Sequence, residues 1–293
     1  MTAHADTLAQ TRQFAGGRRN IAGPSADTLR VWPLLILLIA LFDLPLLFTL
    51  GLSLYGKNGF TLAHYAELLN TPAYLGVMAS TLRVSLIATL VNALVGYPLA
   101  YWITGLDPRR RGIALACVLL PFWVSILVRT YAWIVVLGNG GLVNRLLQWG
   151  GVVDEPISFL YSEVGVTIGM TNVLLPFLVL PLYATMMRID GRLTQAASSL
   201  GASSWTVFWR VFFPLTVPTL AASSLLVFML SLGFYVTPAI LGGGKVAMAG
   251  NLLDSLINQI PRWEMAAALA AVLLVITLAI YFAYARLGRW SRA

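Results

Sequence analysis

Few residues in this 293-residue chain could do chemistry, and the ones that could are charges set in apolar surroundings. Asp43 stands near the middle of one apolar run, and Arg83 and Arg129 stand about two helical turns inside the outer ends of two others. An ionised side chain in hydrocarbon is costly and marks function by default. Long arginine side chains can extend towards the membrane interface, which accounts for both arginines without assigning them a role. The aspartate is too short for that, so it is expected either to pair with Arg83 or Arg129, or to face an aqueous path near Pro45. A cationic solute would be repelled by arginines in its path and drawn to the carboxylate. Acid–base and metal chemistry lack the inventory. His4 and His64 have no partner resembling a triad or a metal site, and the single cysteine, Cys117, precludes an intrachain disulfide or a cysteine cluster. Gly244-Lys245 does not make a nucleotide loop, because Val246 stands where Ser or Thr is required. No enzyme is expected.

The elements that must position these charges follow from composition. Hydrophobic residues make up 59% of the chain and charged residues only 10%, against roughly a quarter charged in soluble domains. Apolar runs of about 20 residues, long enough to cross ~30 Å of hydrocarbon as helix, recur along the sequence. The predicted class is an all-α integral membrane protein, since no alternation of barrel strands is present. Six spans are predicted, at Val31–Leu54, Tyr74–Thr104, Ile113–Leu137, Val164–Met187, Leu215–Ile240 and Met265–Arg286. Residues 1–30 are expected to form a basic cytoplasmic tail and 31–293 the membrane domain. The 34 uncharged residues from Val211 to Gly244 would extend ~50 Å as one helix, so Pro214, Pro218 and Pro238 are expected to trim or break it.

The net charge of +8 is not gathered on one surface, which argues against nucleic acid as a partner. It is distributed by side instead. The tail, the 105–112 loop, the 188–214 segment and the C-terminus hold 13 of the 19 basic residues, and all four fall on one side of a six-span chain. Both termini are therefore expected in the cytoplasm. Trp32, Tyr55, Tyr74, Trp133 and Trp263 suit interface belts. In the fifth span, Gly233, Thr237, Pro238 and the Gly242-Gly243-Gly244 run would permit a kink and a mobile outer gate with Phe234 and Tyr235 as bulky plugs, although plain helix packing explains the glycines nearly as well.

Segment 188–214 is far longer than a helix connection needs. Asp190 or Thr194 can start a short helix in which Leu193, Ala196, Ala197 and Leu200 share helical spacing, with Gly201 as its C-terminal cap. A second helix from about Ser203 would place Trp205, Phe208, Trp209 and Phe212 on one face. Here the sequence resembles the permeases of binding-protein-dependent ABC importers. Their cytoplasmic signature is Glu-Ala-Ala, three residues, Gly, nine residues, then Ile-x-Leu-Pro. Gln195-Ala196-Ala197, Gly201 and Val211-Phe212-Phe213-Pro214 keep that spacing, with Gln195 in place of the acid and Phe213 in place of Leu.

The resemblance covers essentially the whole chain and is closest to spermidine/putrescine-type permeases. It is carried also by Arg129-Thr130-Tyr131-Ala132-Trp133, by Gly140-Gly141-Leu142-Val143-Asn144 and by the 232–243 stretch. It implies a path-forming subunit for a small organic solute, a polyamine or related, in the bacterial inner membrane. It also implies a coupling helix between spans four and five formed by Gln195, Ala196, Ala197, Ser198, Leu200 and Gly201. The implied partners are two ATP-binding subunits that carry ATP–Mg, a second similar permease chain and a periplasmic solute-binding protein, with no cofactor in this chain. An amphipathic helix lying on the membrane surface is the plainer account of the segment. An ion-coupled secondary transporter or channel is the rival function.

Overall fold

The computed structural model describes residues 26–56 and 59–290. The chain divides into two compact units, Met1–Gly51 and Leu52–Ala293, and each is described by itself. The expected tail lies outside the described residues up to position 25, and the first helix among the described residues starts at Ala26, inside the expected tail.

The first span consists of α1 (Ala26–Leu38), a π turn (Ile39–Asp43) and α2 (Leu44–Ser53). In the turn the Leu44 N–H reaches back five residues to the Ile39 carbonyl. Two more π turns occur among the described residues, at Phe208–Phe212 and Ser255–Gln259. Each of the three ends two residues before a proline, namely Pro45, Pro214 and Pro261. The cause is common to them. Proline brings no N–H and its ring crowds the carbonyl four residues back, so the preceding turn slips to the wider register. Asp43 is the last residue of the first of these turns.

The second unit begins with a short hairpin, β1 (Tyr55–Gly56) pairing antiparallel with β2 (Gly59–Phe60). There follow α3 (Ala63–Asn70), α4 (Pro72–Thr104), α5 (Pro108–Trp123), α6 (Ile126–Leu137), α7 (Leu142–Trp149) and α8 (Glu163–Met186). After these come α9 (Gly191–Ser199), α10 (Ser204–Val207), α11 (Phe213–Leu232), α12 (Val236–Leu241), α13 (Ala249–Asp254) and α14 (Trp263–Trp290). The core is where α4, α8 and α11 pack together. On α8 the buried residues Val166, Met170, Leu174, Leu178, Leu182 and Met186 recur every fourth position. They face a row of smaller side chains on α4, Ala88, Asn92, Gly96 and Ala100, and such small residues let helix backbones approach closely.

Among the described residues, six segments are long and apolar enough to cross a membrane: Trp32–Ser53, Pro72–Thr104, Ile126–Trp149, Glu163–Met186, Ser204–Leu232 and Trp263–Arg286. Two expectations about span boundaries are corrected. The third span is not one helix over Ile113–Leu137. It breaks at Val124 and Ser125, which are extended (ψ 134° and 137°), just after Pro121 removes a helical donor in the last turn of α5. The long uncharged stretch is divided at Gly233–Tyr235, between α11 and α12, and not at its prolines. Pro214 lies inside the continuous helix Ser204–Leu232, where it widens the preceding turn without ending the helix. The 20 residues of α11 rise ~30 Å, matching the hydrocarbon thickness.

The 138–157 segment, which begins inside the third apolar segment, is fastened by one buried amide. The Asn144 side chain donates to the Gly138 and Ile157 carbonyls, at 3.0 Å each, and accepts from the Ile157 N–H at 2.8 Å. The Glu67 carboxylate in α3 accepts two hydrogen bonds, at 2.8 and 2.7 Å, from the Arg262 guanidinium just before α14.

Candidate functional site: a capped surface helix and a row of clefts

The segment between spans four and five folds as its sequence suggests. The Asp190 side chain accepts from the Arg192 N–H at 2.9 Å and starts α9, which carries Gln195, Ala196, Ala197 and Ser198. Leu200 ends the helix, and Gly201 has φ +83°. The Gly201 N–H donates to the Ser198 carbonyl (2.9 Å) and the Ala202 N–H to the Ala197 carbonyl (3.2 Å). This is a Schellman cap, whose positive φ favours glycine. A Cβ at Gly201 would meet nothing within 4 Å, so the position is open to solvent. Leu200, beside it, is 89% exposed, and Leu193 is exposed as well. The apolar stripe of α9 is therefore presented outward and not used in this chain's own core.

Directly after the cap, Ser203 accepts from the Thr206 N–H at 3.3 Å and starts α10. The π turn that follows anchors the segment to the end of α4 through rings. Phe208 lies edge-on to Tyr97 (centroids 6.4 Å apart) and Tyr101 (5.3 Å), and Phe212 to Tyr101 (5.1 Å). The Tyr97 and Thr216 hydroxyls share a buried hydrogen bond of 2.8 Å. Movement of α9 would thus be passed to α4 and α11 by packed aromatic surfaces.

The intramembrane charges are placed differently from one another. Arg83 pairs with Glu163, the first residue of α8, where a carboxylate also suits the helix dipole. Of the two arginines weighed as partners for Asp43, Arg83 is thereby supplied. Arg129 is not. Its Nε and Nη1 are buried without a hydrogen-bond partner, and Nη2 makes only a long contact of 3.5 Å to the Val124 carbonyl.

Arg129 borders two clefts. One, of about 270 Å³, is lined by Arg129 with Phe122, Phe177 and Phe234 among others. The second, of about 350 Å³, is lined by Arg129, Trp133 and Asn172. A third, of about 630 Å³, runs on from Asn172 to Cys117 and Arg110.

The proposed gate residues are partly gathered here. Phe234 lines the smallest cleft at the break after Gly233. Tyr235 is exposed and lines none of the three clefts. Thr237 and Pro238 are buried in α12, which packs on α6 and α8. There the Cβ of any residue replacing Gly169 would come within 2.5 Å of Leu241 and 2.7 Å of Thr237, so this contact depends on glycine. Tyr131 is exposed, while Trp133 packs partly into the core and is not a simple interface anchor.

Sequence reasoning missed Glu163, Asn172, and the Tyr97–Thr216 pair. Asn172 carried a usable signal, an amide in the middle of an apolar run. The other residues had none, because their roles come from neighbours distant in sequence.

A helical membrane subunit with a capped, outward-facing helix between its fourth and fifth spans is the architecture of a transport permease. The chain matches, over residues 8–293, the family described as "Binding-protein-dependent transport system inner membrane component", and it belongs to that family. It is similar to the spermidine/putrescine transport system permease protein PotB of Haemophilus influenzae, with 36% identity over 253 residues, covering 84% of this chain and 88% of the relative. It is also similar to the inner membrane ABC transporter permease protein YdcU of Escherichia coli, with 30% identity covering 79% of this chain and 77% of that one. Among solved structures, a bacterial ABC transporter involved in the import of the acidic polysaccharide alginate shares the fold, with a TM-score of 0.71 at 19% identity, covering 90% of this chain and 97% of that one. The chain is a multi-pass inner-membrane permease subunit of a binding-protein-dependent ABC importer.

Proposed function

We propose that this chain forms, with a second similar permease chain, the path by which a small organic solute crosses the inner membrane. The solute is delivered by a periplasmic binding protein, and the polyamines named for the curated relatives are the first candidates for its class. ATP–Mg is hydrolysed in two separate ATP-binding subunits, which dock on Gln195, Ala196, Ala197, Ser198, Leu200 and Gly201. Both chain termini and α9 lie on the cytoplasmic side, as the arginine distribution requires. Asp43, Arg83, Arg129, Tyr131, Trp133 and the 233–238 break belong to the path and its outer gate.

The observation that carries this reading is the Schellman-capped tip of α9, with an exposed leucine beside a glycine that has open space around it. Leu193 and Leu200, two turns apart on α9, are both left out of this chain's own core, which leaves that face free for a partner. The test is purification of the subunit from its native membrane without crosslinking, followed by uptake into vesicles. Co-purification of an ATPase and a second permease, with uptake that requires internal ATP, is the expected result. Uptake driven by an ion gradient with no ATPase bound would replace this reading with a secondary transporter.

A further inference from the structure

We infer that α7 lies in the plane of the membrane at its outer surface, with Leu142, Leu146 and Trp149 set into the boundary between phosphate headgroups and hydrocarbon and Arg145 reaching the phosphates. That the surface is the outer one rests on the topology proposed above. Although α7 is apolar enough to fall inside the third candidate segment, the crossing does not need it. The 16 residues of α5 and the 12 of α6 rise ~24 and ~18 Å, together more than the ~30 Å of hydrocarbon. The chain then turns at Gly138, whose carbonyl accepts from the Gly141 N–H at 2.8 Å. Gly141 lies so close to α6 that a Cβ there would come within 2.5 Å of the Val135 and Val136 carbonyl oxygens. Helix α7 therefore starts beside the last turn of α6, at the level where the crossing ends.

Its polarity is inverted relative to a helix in water. At 3.6 residues per turn, Leu142, Leu146 and Trp149 share one side of α7, with Arg145 at its edge. All four are exposed, Trp149 by 89%. The fully buried residue of α7 is Asn144, on the opposite side, with Val143 and Leu147 half-buried. The three hydrogen bonds of Asn144 stop the helix from rolling to hide its apolar face. A binding protein comes and goes, and a surface bared to water between encounters is no more apolar than protein surface at large. A permanent chain contact takes roughly 800 Å² a side, more than one face of an eight-residue helix supplies. The bilayer boundary is always present, and its chemistry matches the face. Tryptophan keeps its ring in hydrocarbon and its N–H among headgroups, and an in-plane helix buries its leucines in the acyl layer. Arg145 makes no ion pair among the described residues, and its long side chain can extend to lipid phosphate.

The test places nitroxide labels on single cysteines, with Cys117→Ser to remove the native thiol. The importer is purified from its native membrane and reconstituted in vesicles of phosphatidylethanolamine and phosphatidylglycerol. Leu142→Cys, Leu146→Cys and Trp149→Cys report the apolar face, so one may fail to assemble without loss of the result, and Asp154→Cys reports the exposed loop beyond. Depth is read from relaxation by oxygen, which concentrates in hydrocarbon, against relaxation by a water-soluble nickel chelate. The three helix labels are expected about 5–10 Å below the headgroup boundary, with Asp154→Cys in water, and no change when the binding protein is added. Helix labels that the chelate reaches as readily as Asp154→Cys overturn the inference. So do labels shielded from both relaxers, which would put a second chain on this face, and labels shielded only once the binding protein is added. An impermeant maleimide on spheroplasts separates this inference from the topology. If it modifies Asp154→Cys from outside and the depth pattern is missing, the inference alone fails. Modification only after lysis overturns the topology and the leaflet named here.

Discussion

At the scale of single residues, the side chains that hold the outer loops are polar ones with every hydrogen bond made. Asn144 closes the 138–157 loop with three bonds, and replacing it by Leu would strand the buried Ile157 N–H and leave each of the two carbonyls with only its backbone bond. Asn144→Leu is expected to cost about 1–3 kcal/mol, read as a lower midpoint of thermal unfolding in detergent, and Asn144→Asp should lose at least as much, because it sets a buried carboxylate oxygen against two carbonyls. The Glu67–Arg262 pair behaves as a pH-dependent clasp. The arginine hydrogen bond holds the Glu67 carboxyl below its ordinary value, so its contribution is present above the ordinary value, roughly pH 4, and is lost as the pH falls below it. Wild type should lose thermal stability on acidification through that window more steeply than Glu67→Gln, with the two converging at the acid end. Parallel curves would remove the clasp from the account. Both side chains of the pair are 39% exposed, so the difference should be small. Neither arrangement was legible in sequence. Asn144 was visible only as part of a family-like stretch, and Glu67 only as an external charge.

At the scale of elements, hydrophobic run length and cap chemistry carried most of the information. Asp190, Gly201 and Ser203 marked the limits of α9 and the start of α10 because each acts locally, through its own side chain or backbone freedom. The break in the third span was missed because Pro121 was given no weight, and the one after α11 was misplaced because prolines are only one cause of interruption. Val124 and Ser125 leave the helix three residues after Pro121, and Gly233–Tyr235 break where α12 must pack on α6 and α8. The aromatic junction between the π turn and α4 was half visible, since Phe208 and Phe212 were on the predicted face while Tyr97 and Tyr101 were not. Phe208 lies at the centre of that junction. Phe208→Ala is expected to leave the ATPase bound to α9 but lower solute moved per ATP hydrolysed by several-fold, because the ring contacts that pass on its movement are gone. Truncation should also cost about 3 kcal/mol of stability. An unchanged ratio of uptake to hydrolysis would assign transmission to another contact.

At the scale of the whole molecule, the number of spans and their helical nature followed from composition, because hydrocarbon leaves the backbone no other solution. The side proposed for each loop rests on arginine placement. Reporter fusions after Arg110 and Ser199 should read cytoplasm, and fusions after Gly151 and Lys245 periplasm. A periplasmic signal at Ser199 would remove α9 from reach of any ATPase. The central claim is that α9 is where hydrolysis is coupled to the spans, and the position of Gly201 gives its most direct test. Its Cβ space is open and aspartate is among the residues that tolerate a positive φ at modest cost, so Gly201→Asp can fold, yet it places a charge on the docking tip. Ala197→Arg does the same within the helix, while Gln195→Glu should be tolerated. The measurement is substrate-stimulated ATPase activity of the reconstituted importer, with binding protein present, alongside uptake. The account predicts that Gly201→Asp and Ala197→Arg remain inserted with six spans, lose uptake and release or uncouple the ATPase. Wild-type uptake and stimulation in both would contradict it, and α9 would then be a helix lying on the membrane surface.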